Sequence, residues 1–295
     1  MLVEKSKGRW NQLMQSVTST DTLHVQICPH HAATQLFCCQ PLVTLADNGK
    51  NWGEPPESPS DSAAFVSSEN WYDRHVLPYV LDFACGIKPV RLQREKIVPL
   101  ASGRVLEIGI GTGLNLAHYD KSRIGKIVGL DPSLAGVDEK TSRTPALVHG
   151  TSQMHRLAQK RIARAGLEVE LIGLSAEQIP QDDASFDTVV CTYTLCTIPD
   201  PVAALREMRR VLKPGGRLLF CEHGRAPDAG VLRWQDRLTP HWKKIAGGCH
   251  LNRDVPALLR EAGFHCTDLQ TMYLPGPRPL TYNYWGQATP VGNWA

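Results

Sequence analysis

Between residues 104 and 224, short apolar runs alternate with longer amphipathic ones. The runs RVLEIGI, KIVGLD, EVELIG, FDTVVCTYTL and GRLLFCEHG are strand-sized and rich in Val, Ile, Leu and Phe. Such runs suit strands buried on both faces. The segments MHRLAQKRIARAG and PVAALREMRRVLKPGG instead space their apolar residues at helical intervals. The alternation predicts an α/β fold with a mainly parallel sheet and helices on both faces. Upstream, ENWYDRHVLPYVLDFACG predicts a helix from an Asn70 cap to Gly86, and KPVRLQREKIVPLA a second helix with Pro89 in its first turn. Asp200 is an N-cap followed by Pro201 at the first helical position, and Lys213, Pro214 and Gly215 are expected to stop that helix.

Residues 1–68 show no sustained period and close on NGKNWGEPPESPSDSA, which holds too little apolar surface to offset the entropy of ordering. They read as a mostly disordered leader, ahead of one domain over 69–295. The leader gathers Cys28, His30, His31, Cys38 and Cys39 at spacings that match no zinc pattern, so no metal site is expected. Its opening is mildly basic, but Glu4 and the scarcity of arginine speak against a transit peptide. The nine cysteines of this 295-residue chain are scattered, which suits reduced thiols in a cytoplasmic protein better than a disulfide scaffold. A net charge of +3 with no basic stripe argues against nucleic acid as a partner. No apolar run reaches the roughly 18 to 20 residues that cross a bilayer, so no transmembrane segment is expected. The oligomeric state is left open.

The chemistry begins at VLEIGIGTGLNL, where Glu107 ends the first strand and Gly109, Gly111 and Gly113 form the turn into the first helix. Ligands of open α/β sheets bind beyond the carboxyl ends of the strands, and a backbone free of side chains lets a ligand come close. The spacing is G-x-G-x-G, one residue short of the dinucleotide fingerprint. The next strand ends in Asp131, placed to accept hydrogen bonds from both hydroxyls of a ribose. The ligand is therefore read as a nucleoside, with or without pyrophosphate.

VLEIGIGTG, GLDPS, SAEQIPQDDASFDTVVCTYTLCTIPDP and VLKPGGRLLFCEHG, in that order, resemble the motifs of class I S-adenosylmethionine-dependent methyltransferases of the type 11 branch. The flanking YDRHVLPYVLDFACGIKPVRLQREKIVPLA and RWQDRLTPHWKKIAGGCHLNRDVPALLREAGF resemble bacterial relatives of the alkyl-thiol S-methyltransferases. The resemblance implies a Rossmann-like, seven-stranded, mainly parallel sheet with an antiparallel last strand. It also implies S-adenosyl-L-methionine as cofactor. By the same resemblance Glu107 meets the amino-acid end of the ligand or orients the loop, the three glycines line it, and Asp131 binds the ribose. Pro132 and Ser133 flank the adenine, Ala176 and Glu177 approach its other edge, and Cys191 and Thr192 lie near the methionine portion. Ser175 stands where many relatives carry an aspartate. Residues 134–152 interpose a polar stretch without a clear period, read as a flexible insertion in preference to an active-site lid.

A sulfonium is already a strong methyl electrophile, so the protein's task is to align a nucleophile and exclude water. A thiol, phenol or hydroxyl acceptor must also lose a proton. His223, at the end of the fifth strand, is the candidate base, with Glu222 as its orienter or as a substrate contact. The alternative is a histidine that only hydrogen-bonds a neighbouring loop. Tyr72, Trp234 and Trp242 are candidates to roof an apolar acceptor pocket. Three functions are weighed: transfer of a methyl group to a small lipophilic acceptor, with a thiol favoured over a quinone or phospholipid amine; a nicotinamide-dependent oxidoreductase; and a non-catalytic cofactor-binding protein.

Overall fold

In a computed structural model the described residues are 71–134 and 153–292. The expectations for the leader, including its Cys/His cluster, lie outside them, as does nearly all of the expected insertion. Leu134, the insertion's first residue, is instead fully buried core at the end of a 3-10 turn, Pro132–Leu134.

The chain opens with α1 (Trp71–His75), α2 (Leu77–Gly86) and α3 (Lys88–Ile97). The single helix expected up to Gly86 is broken at Val76. Pro78, lacking an N–H and clashing with the carbonyl four residues back, is tolerated only in a first turn, so a new helix starts there. The domain then proceeds through β1 (Gly103–Ile108), β2 (Ile124–Leu130), α4 (Gln153–Ala165), β3 (Val169–Ile172), β4 (Phe186–Thr192), α5 (Pro201–Val211) and β5 (Leu212–His223). It closes with α6 (Ala229–Ile245), α7 (Val255–Glu261), β6 (Phe264–Tyr273), α8 (Arg278–Thr281) and β7 (Tyr282–Pro290).

The seven strands form one sheet in the order β3-β2-β1-β4-β5-β7-β6. β1 to β5 pair in parallel, and β7 runs antiparallel to both β5 and β6. The expected α/β, Rossmann-like sheet with an antiparallel last strand is the one observed. Alternate strand residues divide between two cores, as the twofold repeat of a strand demands. Leu106, Val128, Val189 and Leu218 pack with Leu205 and Met208 of α5 and Leu259 of α7. Val105, Ile127, Val190 and Leu219 pack on the other face with Ile97 of α3 and Ile162 of α4.

Asp200 caps α5 as expected, its carboxylate accepting from Val202 N at 3.1 Å and Ala203 N at 2.9 Å. The helix ends earlier than Lys213, Pro214 and Gly215 suggested. Leu212, two residues ahead of Pro214, is already extended at φ −73°, ψ 132°. The K-P-G-G segment instead makes an irregularity at the start of β5, where the pairing jumps from Phe186↔Leu212 to Thr188↔Arg217.

Candidate active site

The carboxyl ends of β1, β2, β4 and β5 lie side by side at one edge of the sheet, the position at which an open α/β sheet forms its ligand crevice. The glycine turn leaves β1 with positive φ at Gly109 (67°), Gly111 (53°) and Gly113 (80°). Gly109 is held most tightly, because a Cβ there would lie 2.2 to 2.8 Å from the side chain of Thr194, in the loop after β4. The turn leads into a 3-10 turn, Leu114–Ala117, and not into the α-helix expected. The side chain of Asn115 in this turn is drawn into the interior. Its Nδ2 donates to Glu107 Oε1 and to Thr192 Oγ1, both at 3.0 Å, and its Oδ1 accepts from Arg94 Nη1 at 2.8 Å.

Glu107 is buried, and its second oxygen accepts from Tyr119 Oη at 2.8 Å. Burial pushes its carboxyl up to about 7, against the opposing pull of the Tyr119 hydroxyl, the Arg94 charge and the Asn115 amide. Each Glu107 oxygen thus accepts one hydrogen bond from the protein, which ties the end of β1 to the turn that follows it. Arg94 ties α3 into this network through Asn115 and Thr192, and lies 5.0 Å from the centre of the Tyr193 ring. Arg94, Asn115 and Tyr119 were not among the residues the sequence singled out.

Asp131 crosses from β2 to the glycine turn. Its Oδ2 accepts from Gly111 N at 2.9 Å, while Oδ1 accepts from Ser133 N at 2.9 Å and Ser133 Oγ at 2.6 Å. Each carboxylate oxygen can accept about two hydrogen bonds, so Oδ2 keeps capacity for an outside donor. Pro132 and Ser133 form the short turn beneath it. Glu177 is engaged differently: its Oε1 accepts from Asp200 N at 2.7 Å and its Oε2 from Ser175 Oγ at 2.8 Å. It thereby fastens the start of α5, and Ala176 beside it is buried. Cys191 faces the α5 core, where burial raises its thiol well above the usual range, while Thr192 points to Arg94 and Asn115.

Glu222 and His223 do not form a pair. Neighbouring residues of a strand face opposite ways. Glu222 is fully buried, with Oε1 accepting from Thr194 N at 2.9 Å and Leu195 N at 3.2 Å. Burial pushes it up to about 6, although those two amides resist the shift. It positions the loop after β4. His223 is half-buried, and its Nε2 stands 3.1 Å from Cys249 Sγ, which also accepts from Trp242 Nε1 at 3.3 Å. Burial lowers the proton affinity of His223, but the Cys249 sulfur and the Glu222 carboxylate outweigh it, and the net shift is upward. Cys249 is lowered to about 4, first by a hydrogen bond from Cys196 and against burial, then by His223 and Trp242. The His223 ring is thus engaged at Nε2 by the Cys249 sulfur. Of the aromatic candidates, Trp242 borders this pair and Tyr72 Oη reaches Ile245 O at 3.1 Å, but Trp234 is 56% exposed and roofs nothing.

Among the described residues no helix is long and apolar enough to cross a membrane. The family model for a methyltransferase domain matches residues 88–269. The chain is 34% identical over 174 residues to thiol S-methyltransferase TMT1B of Rattus norvegicus, covering 59% of this chain and 64% of that one. It is 30% identical over 172 residues to phosphatidylethanolamine N-methyltransferase of Cereibacter sphaeroides, covering 57% of this chain and 74% of that one. A solved SAM-dependent methyltransferase from Leishmania major shares the fold with a TM-score of 0.51 at 16% identity, covering 73% of this chain and 79% of that one.

Proposed function

The chain belongs to the methyltransferase-domain family, and from that premise we propose that it transfers the methyl group of S-adenosylmethionine to a small thiol. Because the chain spans 64% of the length of the rat thiol S-methyltransferase it matches, the acceptor rests on the site itself. The observation that carries it is the make-up of the crevice. Its β1–β2 side is a turn without side chains held to a carboxylate, and its β4–β5 side carries Cys196, His223 and Cys249. The imidazole nitrogen and the thiol groups offer hydrogen-bond partners to the S–H of a small thiol.

The first side fits the cofactor. Asp131 lies 2.9 Å from the Gly111 amide with acceptor capacity to spare, and an added Cβ at Gly111 would meet nothing closer than 3.8 Å. Asp131 would hold the ribose, Gly109, Gly111 and Gly113 would line the chain of the ligand, and Pro132, Ser133 and Ala176 would border the base. When bound, the cofactor supplies an activated methyl group on a sulfonium sulfur. Glu107 keeps the glycine turn in place, Glu177 keeps α5 and its preceding loop in place, and Glu222 holds the loop that bears Cys196. His223 and Cys249 supply the polar contact for the acceptor.

Two measurements test the reading. Asp131→Ala should weaken S-adenosylmethionine binding about tenfold to a hundredfold by calorimetry, since each hydrogen bond to a charged group contributes about 1.5–3 kcal/mol. Unchanged affinity in a folded variant would remove the ribose assignment. A panel of alkyl thiols, phenols and amines with methyl-labelled cofactor should show turnover on thiols first. Labelling confined to amines or phenols would reject the acceptor.

A further inference from the structure

The sulfur and imidazole cluster has a geometry of its own. The ligand atoms of Cys196, His223 and Cys249 all lie within 4.8 Å of one another. They come from three separate places: the loop after β4, the last residue of β5, and the turn between α6 and α7. The protein's own backbone holds these places together. His250 N donates to Cys196 O at 2.8 Å, and Arg253 Nη1 donates to Leu195 O. Gly247 and Gly248, with φ of 57° and 82°, turn the chain so that Cys249 N donates to Ala246 O at 3.1 Å.

We propose that Cys196, His223 and Cys249 bind one zinc ion whose fourth position takes the sulfur of the thiol acceptor. The inference rests on the thiol-methyltransferase reading above and names how that thiol becomes a nucleophile. Zinc binds thiolates at about 2.3 Å and imidazole at about 2.0–2.1 Å, so the edges of its tetrahedron are about 3.4–3.8 Å. The observed 3.1 Å between His223 Nε2 and Cys249 Sγ, and the 4.8 Å limit for the set, bracket those edges. Three protein ligands with one open position are the pattern of catalytic zinc, whereas structural sites close with four. Two thiolates and an imidazole select zinc over magnesium or calcium, which take oxygen.

The surroundings agree with such a site. Cys196 and Cys249 are buried, so their thiolates are poorly hydrated unless a cation meets them, and His223 is the one partly buried member of the three. Trp242 Nε1 donates to Cys249 Sγ at 3.3 Å, the outer contact that fixes a ligand's direction. Binding releases protons in a balanced way. Cys196 gives up its thiol proton, and the proton between His223 Nε2 and Cys249 Sγ leaves to solvent, as two Zn–S bonds and one Zn–N bond form. At the fourth position the acceptor's S–H bond breaks, a Zn–S bond forms, and its proton leaves to solvent. No electron is gained or lost. A coordinated thiol is deprotonated outright, so an alkyl thiol becomes a thiolate at neutral pH without a free base, which agrees with the engagement of His223 by Cys249.

The test uses the purified full chain. Elemental analysis should find about one zinc per chain. Replacement by cobalt should give thiolate-to-cobalt charge transfer and the ligand-field bands of a tetrahedral site, and a small alkyl thiol should shift those bands. Cys196→Ser and Cys249→Ser should lose the bands. Cys266→Ser, on the outer strand β6, and a Cys28→Ser, Cys38→Ser, Cys39→Ser variant should keep them. Peptide mapping after alkylation avoids any folding defect of the variants: zinc should shield Cys196 and Cys249 in the wild-type chain, and a chelator should expose both. Equal alkylation with and without chelator, or bands that persist in Cys249→Ser, would overturn the site. Bands unmoved by any thiol would overturn the open fourth position. A thiol-shifted spectrum with no methylation of any thiol would leave the metal site standing and remove the acceptor reading. Full-rate thiol methylation by metal-free protein would do the reverse.

Discussion

Replacing Glu107 by Gln isolates the cost of a buried charge from the bonds that surround it. Gln has the same shape. Its carbonyl can accept from Asn115 Nδ2 as Glu107 Oε1 does, while its amide faces the Tyr119 hydroxyl, which can turn to accept. In the wild-type chain burial raises the carboxyl from 4.5 to about 7. The folded state therefore binds the proton more tightly than the unfolded state. The resulting cost is absent well below pH 4.5, grows as pH rises between the two values, and is complete above about 7. At about 1.4 kcal/mol per pH unit it reaches about 3 kcal/mol. Glu107→Gln should thus stabilise the domain, and by about 2–3 kcal/mol more at pH 8 than at pH 5. For a domain of this size that difference corresponds to about 4–12 °C in Tm. Urea unfolding at the two pH values measures it directly. An equal effect at both would mean that the carboxylate is not held against its ionisation, and the argument from burial would fail. Calorimetry on the same variant separates the two roles the sequence left open. A loop-orienting Glu107 predicts cofactor affinity within a few fold of wild type, and a direct ligand contact predicts a larger loss.

Two local substitutions test the frame around the crevice. Gly109→Ala should destabilise the domain by more than about 1 kcal/mol in denaturant unfolding, because the position combines φ of 67° with a Cβ driven into Thr194; a neutral result would show that the turn relaxes freely. Asp200→Ala should cost about 0.5–2 kcal/mol by the same assay, since the carboxylate caps two amides of α5, and a loss near zero would mean that Pro201 alone sets that helix start.

The parts of the fold that were legible in the sequence are those whose cause is local. The five parallel strands follow from continuous apolar runs, the α5 cap from Asp200 and Pro201, and the glycine turn from three alternate glycines. The break at Val76 also had a local signal in Pro78, which was outweighed by the helical spacing around it. Strand alternation could have separated Glu222 from His223 in advance, because adjacent residues cannot share a face. The remaining site residues carry no local signal. Arg94 reaches Thr192 across most of the parallel sheet's sequence, and Cys196, His223 and Cys249 meet only because β4, β5 and the turn after α6 end together. Spacing rules for metal sites look for ligands near one another in the chain, so they had nothing to find there.

The position of β7 between β5 and β6 has a consequence for the nascent chain. During synthesis β1 to β5 can assemble as soon as they leave the ribosome, but β5 then presents an open edge, and among the described residues the strand that closes it is β7. β6 emerges earlier and cannot help, because among the described residues it pairs only with β7. At about 5–20 residues per second, the interval between the end of β5 and the completion of β7 is roughly 3–13 s. For that time a half-built sheet displays unpaired backbone groups that can take a strand from another chain. The length of this exposure is therefore set by translation speed through about the last quarter of the chain, and slow codons placed there would lengthen it.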